Sequence, residues 1–309
     1  MFKNTFKLLI NNFSSVWKIL LYKIIVFICI MGLTTVVSLP IINTLINQGF
    51  FGFLQENLSK MFLNFNFNNL IEILILIAKK FYEIIVNANL MPLFLAVGIV
   101  SVTLYYFVDG LCTLPVTDDV RSFMSTTLKL GFMNCYVANF GKSVKYGLVK
   151  LITIYIWDLI IAFGAVGIYI LLSKSFIAPL ICILYVLLMI ALKITITAGW
   201  EVSMAVNNYG VFTAIKKGTK AICRKFLSIF SNSLVISVLL FILNMFAVFF
   251  TFGVALVIIL PMSLLTIIIF KNVVYYECLG MRYYCDGQNI IMPKKLEEQD
   301  KFSKVKNII

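Results

Sequence analysis

A chain of 309 residues that is 61% hydrophobic, only 13% charged and has a mean hydropathy of +1.01 is not a pair of ordinary soluble domains; its composition is that of a polytopic membrane protein. The formal charge of +13 does not by itself indicate nucleic acid, because the bases flank apolar runs, and an anionic membrane surface is the expected acidic partner. Histidine is absent, which removes Ser/His/Asp triads and histidine general bases; the seven scattered cysteines contain no CxxC pair and predict neither a disulfide framework nor a metal site.

Residues 1–22 set Phe2, Phe6, Leu9, Ile10, Phe13, Val16, Trp17 and Leu20 at helical spacing, with Lys3, Lys7, Asn11, Ser14 and Lys18 between them. Such a basic amphipathic helix suits a headgroup layer, and equally suits packing on neighbouring helices. The first span, 24–46, is too long for a signal-peptide core and lacks a small-residue cleavage site, so it is expected to be retained. Lys3, Lys7, Lys18 and Lys23 precede it and keep the N-terminus cytoplasmic. Residues 47–89 form the largest interruption and carry only Lys60, Lys79 and Lys80 as bases, a light loading that suits the outer side. Phe and Asn alternate across 63–69, and the apolar run 70–86 is broken by Glu72, Lys79, Lys80 and Glu83. One or two helices against the outer face are expected there, with a re-entrant segment as the alternative.

The second span, 90–108, has Pro92 in its first turn and is closed on the inside by Asp109 and Gly110. Between 111 and 150, Arg121, Lys129, Lys142, Lys145 and Lys150 outnumber Asp118 and Asp119, while Phe132, Tyr136, Phe140 and Val144 recur at helical spacing. A separate interfacial helix is expected here. Spans 151–173 and 176–200 then form a hairpin about a turn at Ser173, Lys174 and Ser175. The segment 201–225 sets Lys216, Lys217, Lys220, Arg224 and Lys225 against Glu201, with Phe212, Ile215, Ile222 and Phe226 on its apolar side. Spans 226–250 and 254–270 follow, separated by Thr251, Phe252 and Gly253. Lys271 is expected to return the chain to the cytoplasm, leaving 272–309 as a cytoplasmic tail in which Tyr275, Tyr276, Tyr283 and Tyr284 serve as interface anchors and which ends in a polar, mobile stretch.

Threaded in this way, the segments richest in lysine and arginine fall on one side. Lys174, Lys193 and the three lysines of the outer insertion are the exceptions. The expectation is one all-α membrane domain over 1–309: six transmembrane helices arranged as three hairpins, both termini cytoplasmic, in a plasma membrane. Residues 12–17, 139–144 and, less closely, 225–230 resemble one another, each lying near the end of a basic stretch before a pair of spans. A threefold repeat explains this, and so does the positive flank that any outgoing helix needs.

Asp158 and Lys193 are the residues that lipid should reject. They lie at similar depth from the hairpin turn, and Tyr155 shares a side with Asp158 as Tyr185 and Thr197 do with Lys193. These five form the candidate intramembrane polar site, either lining a cavity for a headgroup, ion or proton, or pairing and snorkelling toward phosphates. Ala191, Thr195 and Gly199 make a small-residue stripe that favours close helix contact, and Ser237 and Asn244 are positioned to hydrogen-bond a neighbouring helix. Candidate headgroup-binding bases are Lys3, Lys7, Lys142, Lys145, Lys216, Lys217, Lys220, Arg224 and Lys225. No Walker loop, GxGxxG, HExxH or GxSxG occurs, and neither a cofactor nor a catalytic residue is expected.

The run Trp17 to Lys23, leading into a span that ends near Leu39 and Pro40, together with Glu201, Ala214, Ile215, Phe226, Tyr275, Tyr276, Leu279 and Arg282, resembles the membrane domain found beside glycerophosphoryl diester phosphodiesterases and its stand-alone bacterial relatives. The likeness spans most of the chain through loose patterns. In that family the phosphodiester chemistry belongs to a separate soluble domain with catalytic histidines, so the resemblance implies the membrane part alone. The expected function is non-enzymatic association with anionic lipid or a membrane partner. Transport through the polar seam is the alternative, and an intramembrane enzyme ranks third because no catalytic constellation converges.

Overall fold

The structure is a computed structural model that describes residues 1–63, 67–172, 175, 177–251, 253–286 and 289–292, with the side chains of 61–63 and 67–71 excepted. Helices α1 (Phe2–Asn11), α2 (Ser14–Asn47), α3 (Phe50–Leu63), α4 (Phe67–Asn87), α5 (Met91–Thr126) and α6 (Phe132–Leu171) lead into α7 (Ala178–Thr197), α8 (Trp200–Asn207), α9 (Val211–Cys223), α10 (Phe226–Thr251) and α11 (Leu256–Leu279). A short hairpin of β1 (Tyr283–Tyr284) and β2 (Ile290–Ile291) closes the described chain, pairing Tyr283 with Ile291 and Tyr284 with Ile290. Among the described residues, six stretches are long and apolar enough to cross a membrane: α2, α5, α6, α7 together with α8, α10 and α11. The protein is an all-α, multi-pass membrane protein.

Several of these helices are longer than the ~20 residues a hydrocarbon core needs, and the surplus is informative. The separate interfacial helix expected between 111 and 150 does not form. Instead α5 runs on through Thr126, burying most of 110–124, and α6 is unbroken over 40 residues. Leu114, Val116 and Val120 pack as a helix core there, so helical propagation costs less than a turn would. The rings of Phe132, Tyr136 and Phe140 follow one another along α6 in tilted contacts, at 5.9 and 5.8 Å between successive centroids.

The chain divides into two compact units, Met1–Ile24 with Tyr106–Ile309, and Ile25–Tyr105. Within Ile25–Tyr105 the insertion forms α3 and α4, whose core joins Ile41, Leu45, Phe50, Ile84 and Ile85. Edge-to-face contacts of Phe81 with Phe50 (5.7 Å) and Phe94 (5.4 Å) close it. Glu72, Lys79, Lys80 and Glu83 stay exposed along α4, which is not among the six spanning stretches. The Phe/Asn alternation at 63–69 lies outside the residues described with side chains, as do Ser173 and Lys174 of the central hairpin turn and Phe252 of the last one.

In the larger unit α11 is the hub. It is apolar on every side, the signature of a helix surrounded by others, and Leu265, Ile268, Ile269, Val273, Tyr275 and Tyr276 join the core that includes Leu8, Leu9, Val16, Ile19, Cys112, Val116 and Val120. Of the two readings of the N-terminal amphipathic helix, packing prevails: Thr5, Leu8 and Leu9 of α1 are buried and α1 docks on α11. Ile10 and Trp17 remain exposed.

The expectation that Lys271 ends the last span is corrected. The helix continues to Leu279, Lys271 and Asn272 are buried, and Gly280, at φ 66°, supplies the left-handed stop. Tyr275, Tyr276 and Tyr283 are accordingly core residues rather than interface anchors, each 2% exposed or less. The β-hairpin places Tyr283 against α1, where Asn4 Nδ2 donates to the Tyr283 hydroxyl at 2.8 Å and Asn11 Nδ2 to the Cys285 carbonyl at 2.9 Å. Met1 completes the clasp with its ammonium 3.3 Å from Glu277.

The small-residue stripe acts as its spacing suggests. Thr195 Oγ1 donates to Ser233 Oγ of α10 at 3.0 Å, and Ala191 is fully buried beside it. One turn on, Gly199 meets Gly218 of α9 so closely that a Cβ on either would land in the other's backbone. Asn244 Nδ2 reaches Ser263 of α11 at 3.4 Å, whereas Ser237 Oγ has no hydrogen-bond partner among the described residues.

Candidate functional site

The central hairpin of α6 and α7 brings Asp158 and Lys193 together. Lys193 Nζ lies 2.5 Å from Asp158 Oδ1, and the two side chains are 24% and 25% exposed. The carboxylate's other oxygen accepts from Tyr106 of α5 at 2.7 Å, a partner the hairpin argument missed because it lies on a third helix. Tyr155 joins by stacking edge-on against Tyr106 at 5.4 Å. The other two candidates stand apart from the pair. Tyr185 sits over Gly164 with its hydroxyl 3.4 Å from the Ile160 carbonyl, and Thr197 turns back to donate to the Lys193 carbonyl at 2.8 Å.

Two further ionic clusters are buried more deeply. Glu201, 2% exposed at the start of α8, accepts from Lys271 Nζ at 2.8 and 3.1 Å and from the Tyr146 hydroxyl at 2.8 Å. Asp109 of α5 receives Lys150 at 2.7 Å on one oxygen and Lys23 at 2.5 Å on the other. Three carboxylates therefore stand against four lysines: Asp158 with Lys193, Glu201 with Lys271, and Asp109 with Lys150 and Lys23. Further along α5, Asp119 accepts from the Gly131 amide at 3.0 Å with Lys18 at 3.5 Å, and Asp118 holds Arg121 at 2.7 Å and Asn139 at 2.9 Å.

Sequence reasoning placed Asp109, Glu201 and Lys271 at span ends, facing water. A signal was present: Val273, Val274, Tyr275 and Tyr276 follow Lys271 without a break in apolar character, and Trp200, Val202 and Met204 enclose Glu201. Desolvating a charge is costly unless a partner is in place, and here each partner comes from a helix distant in sequence.

The headgroup candidates sit differently. Lys3, Lys7, Lys145, Lys216, Lys217, Lys220, Arg224 and Lys225 are exposed, and Lys142 is half-buried with its ammonium on Asn208 Oδ1. Burial of Val211, Ala214, Gly218 and Ile222 turns one side of α9 to the bundle, leaving Lys216, Lys217 and Lys220 on the other. Among the described residues none of these nine bases is ion-paired with a carboxylate. Among the described residues no group of three or more Cys, Asp or Glu is placed to hold a metal ion. No protein-family model, curated protein or solved structure matches this chain.

Proposed function

We propose that this protein is a non-enzymatic, lipid-associated component of a bacterial plasma membrane, with both termini cytoplasmic and its basic inner surface engaging anionic headgroups. One observation carries the reading. In the larger unit Asp109, Asp118, Asp119, Asp158, Glu201 and Glu277 are committed to cations of the same unit, while the bases of α1 and α9 are left exposed without counter-ions among the described residues. An uncompensated surface of this kind gains about 1 kcal/mol per lysine or arginine beside an anionic leaflet. The resemblance to the membrane domain beside glycerophosphoryl diester phosphodiesterases supports the same reading and brings no catalytic residue with it.

Native mass spectrometry after purification in mild detergent tests this. Retained anionic phospholipid is expected; release of the protein free of lipid, or with zwitterionic lipid only, overturns it. For orientation, a variant keeping Cys223 as its sole thiol should resist a membrane-impermeant maleimide in intact cells and react in inverted vesicles.

A second reading, transport, rests on the ionic clusters inside the larger unit, since ionisable groups at membrane depth mark ion and proton routes. Its test is flux in proteoliposomes, abolished by Asp158→Asn if the seam conducts.

A further inference from the structure

The outer side of α9 and the last turns of α11 enclose a cavity of about 270 Å³. Lys217, Lys220 and Arg224 line it from one stripe of α9 and the residue after it, opposite Tyr275, with Tyr209 and Asn207 at its edge. No carboxylate is among the described lining residues. Lys217 Nζ rests 4.2 Å above the Tyr209 ring, so an aromatic face helps to position this ammonium at the wall. The Tyr275 hydroxyl, on a residue only 2% exposed, accepts from Asn207 Nδ2 at 2.7 Å. Among the described residues nothing accepts the hydroxyl's own proton, leaving it as a donor at the cavity wall.

Three cations and a spare hydroxyl donor, with no carboxylate among the described lining residues, match a phosphate group, which offers several acceptor oxygens and up to two negative charges. We propose that this cavity binds the phosphate of an anionic lipid headgroup. The proposal rests on the lipid-association reading above and gives it a location. The cavity opens beside the end of α11, the terminus of a spanning helix, where phosphates of a surrounding bilayer lie.

The test uses the purified full chain in a neutral detergent, with binding of short-chain phosphatidic acid, phosphatidylcholine and inorganic phosphate each measured by calorimetry. Wild type should bind phosphatidic acid at least tenfold tighter than either of the others. At about fivefold per cation, the triple variant Lys217→Gln, Lys220→Gln, Arg224→Gln should lose roughly a hundredfold in affinity for phosphatidic acid. A control that removes as many charges elsewhere, Lys3→Gln, Lys7→Gln, Lys145→Gln, should lose fivefold or less. Tyr275→Phe should lose about fivefold while every surface charge is kept, an effect that diffuse attraction would not produce. Unfolding in detergent titrations checks that each variant keeps its fold.

Equal losses in the two triple variants would overturn the site and leave lipid association standing as a diffuse effect. Equal affinity for inorganic phosphate and phosphatidic acid would keep the oxyanion site but overturn its assignment to lipid. Wild type that binds none of the probes would overturn the site, while the lipid retained through purification decides the wider reading separately.

Discussion

Replacing Glu201 with Gln should be among the most damaging conservative substitutions in this protein. The carboxylate is 2% exposed and takes two contacts from Lys271, at 2.8 and 3.1 Å, and one from Tyr146 at 2.8 Å. With an effective dielectric near 20, the Coulomb attraction at this separation is ~6 kcal/mol. Desolvation of both ions offsets most of it, so the intact pair adds little net stability. Breaking it is another matter. Glu201→Gln leaves a buried ammonium facing a neutral amide, and the expected loss is ~3–5 kcal/mol. Lys271→Met should cost about as much, because the stranded carboxylate keeps Tyr146 as its donor but no counter-ion. The double variant removes both charges and should fall within ~2 kcal/mol of wild type. Titration with SDS from a mild detergent, followed by helicity and by tryptophan emission, gives all four unfolding energies and hence the coupling. Single variants within ~1 kcal/mol of wild type, or a double variant costing the sum of the singles, would falsify the claim that these ions are desolvated and mutually dependent.

At the Gly199 and Gly218 crossing, Ala at either position should cost ~1–3 kcal/mol in the same titration, because the new methyl meets backbone that cannot move aside; Gly167→Ala on the open side of α6 should be neutral or stabilising by up to ~1 kcal/mol. Asp158→Leu and Lys193→Leu should each destabilise by ~1–3 kcal/mol, with the double variant recovering at least half of the summed loss; failure to recover would count against a functional pairing. Burial, and after it the negative charge of Glu277, push the Tyr283 phenol well above its usual pKa. Its folded form therefore resists ionisation while the unfolded chain ionises near pH 10, so stability is fully present below about pH 10 and falls as pH rises past it. Tyr283→Phe should flatten that alkaline decline in thermal unfolding measured from pH 8 to 11, and an unchanged slope would show that other groups cause it.

Six membrane-crossing stretches and their helical class followed from the sequence itself. A run of some twenty apolar residues has few other stable fates, since lipid leaves backbone polar groups only intrahelical partners. The hairpin depth rule also set Asp158 opposite Lys193, because two antiparallel helices joined by a short turn have few registers available. The same local logic failed where charge met a helix end. Asp109, Glu201 and Lys271 look from composition like the start of aqueous segments, yet Glu201 and Lys271 are buried and the Asp109 side chain is only 17% exposed. What neutralises them is Lys150 and Lys23, Lys271, and Glu201 respectively, delivered by helices far away along the chain. Hydropathy is a property of neighbours in sequence, whereas the cost of a buried ion depends on its neighbours in space. For that reason the membrane class was legible in the order of residues, while the continuation of α5 and α11 past their charges, the burial of Tyr275, Tyr276 and Tyr283, and the gathering of Lys217, Lys220 and Arg224 about one cavity were decided by packing alone.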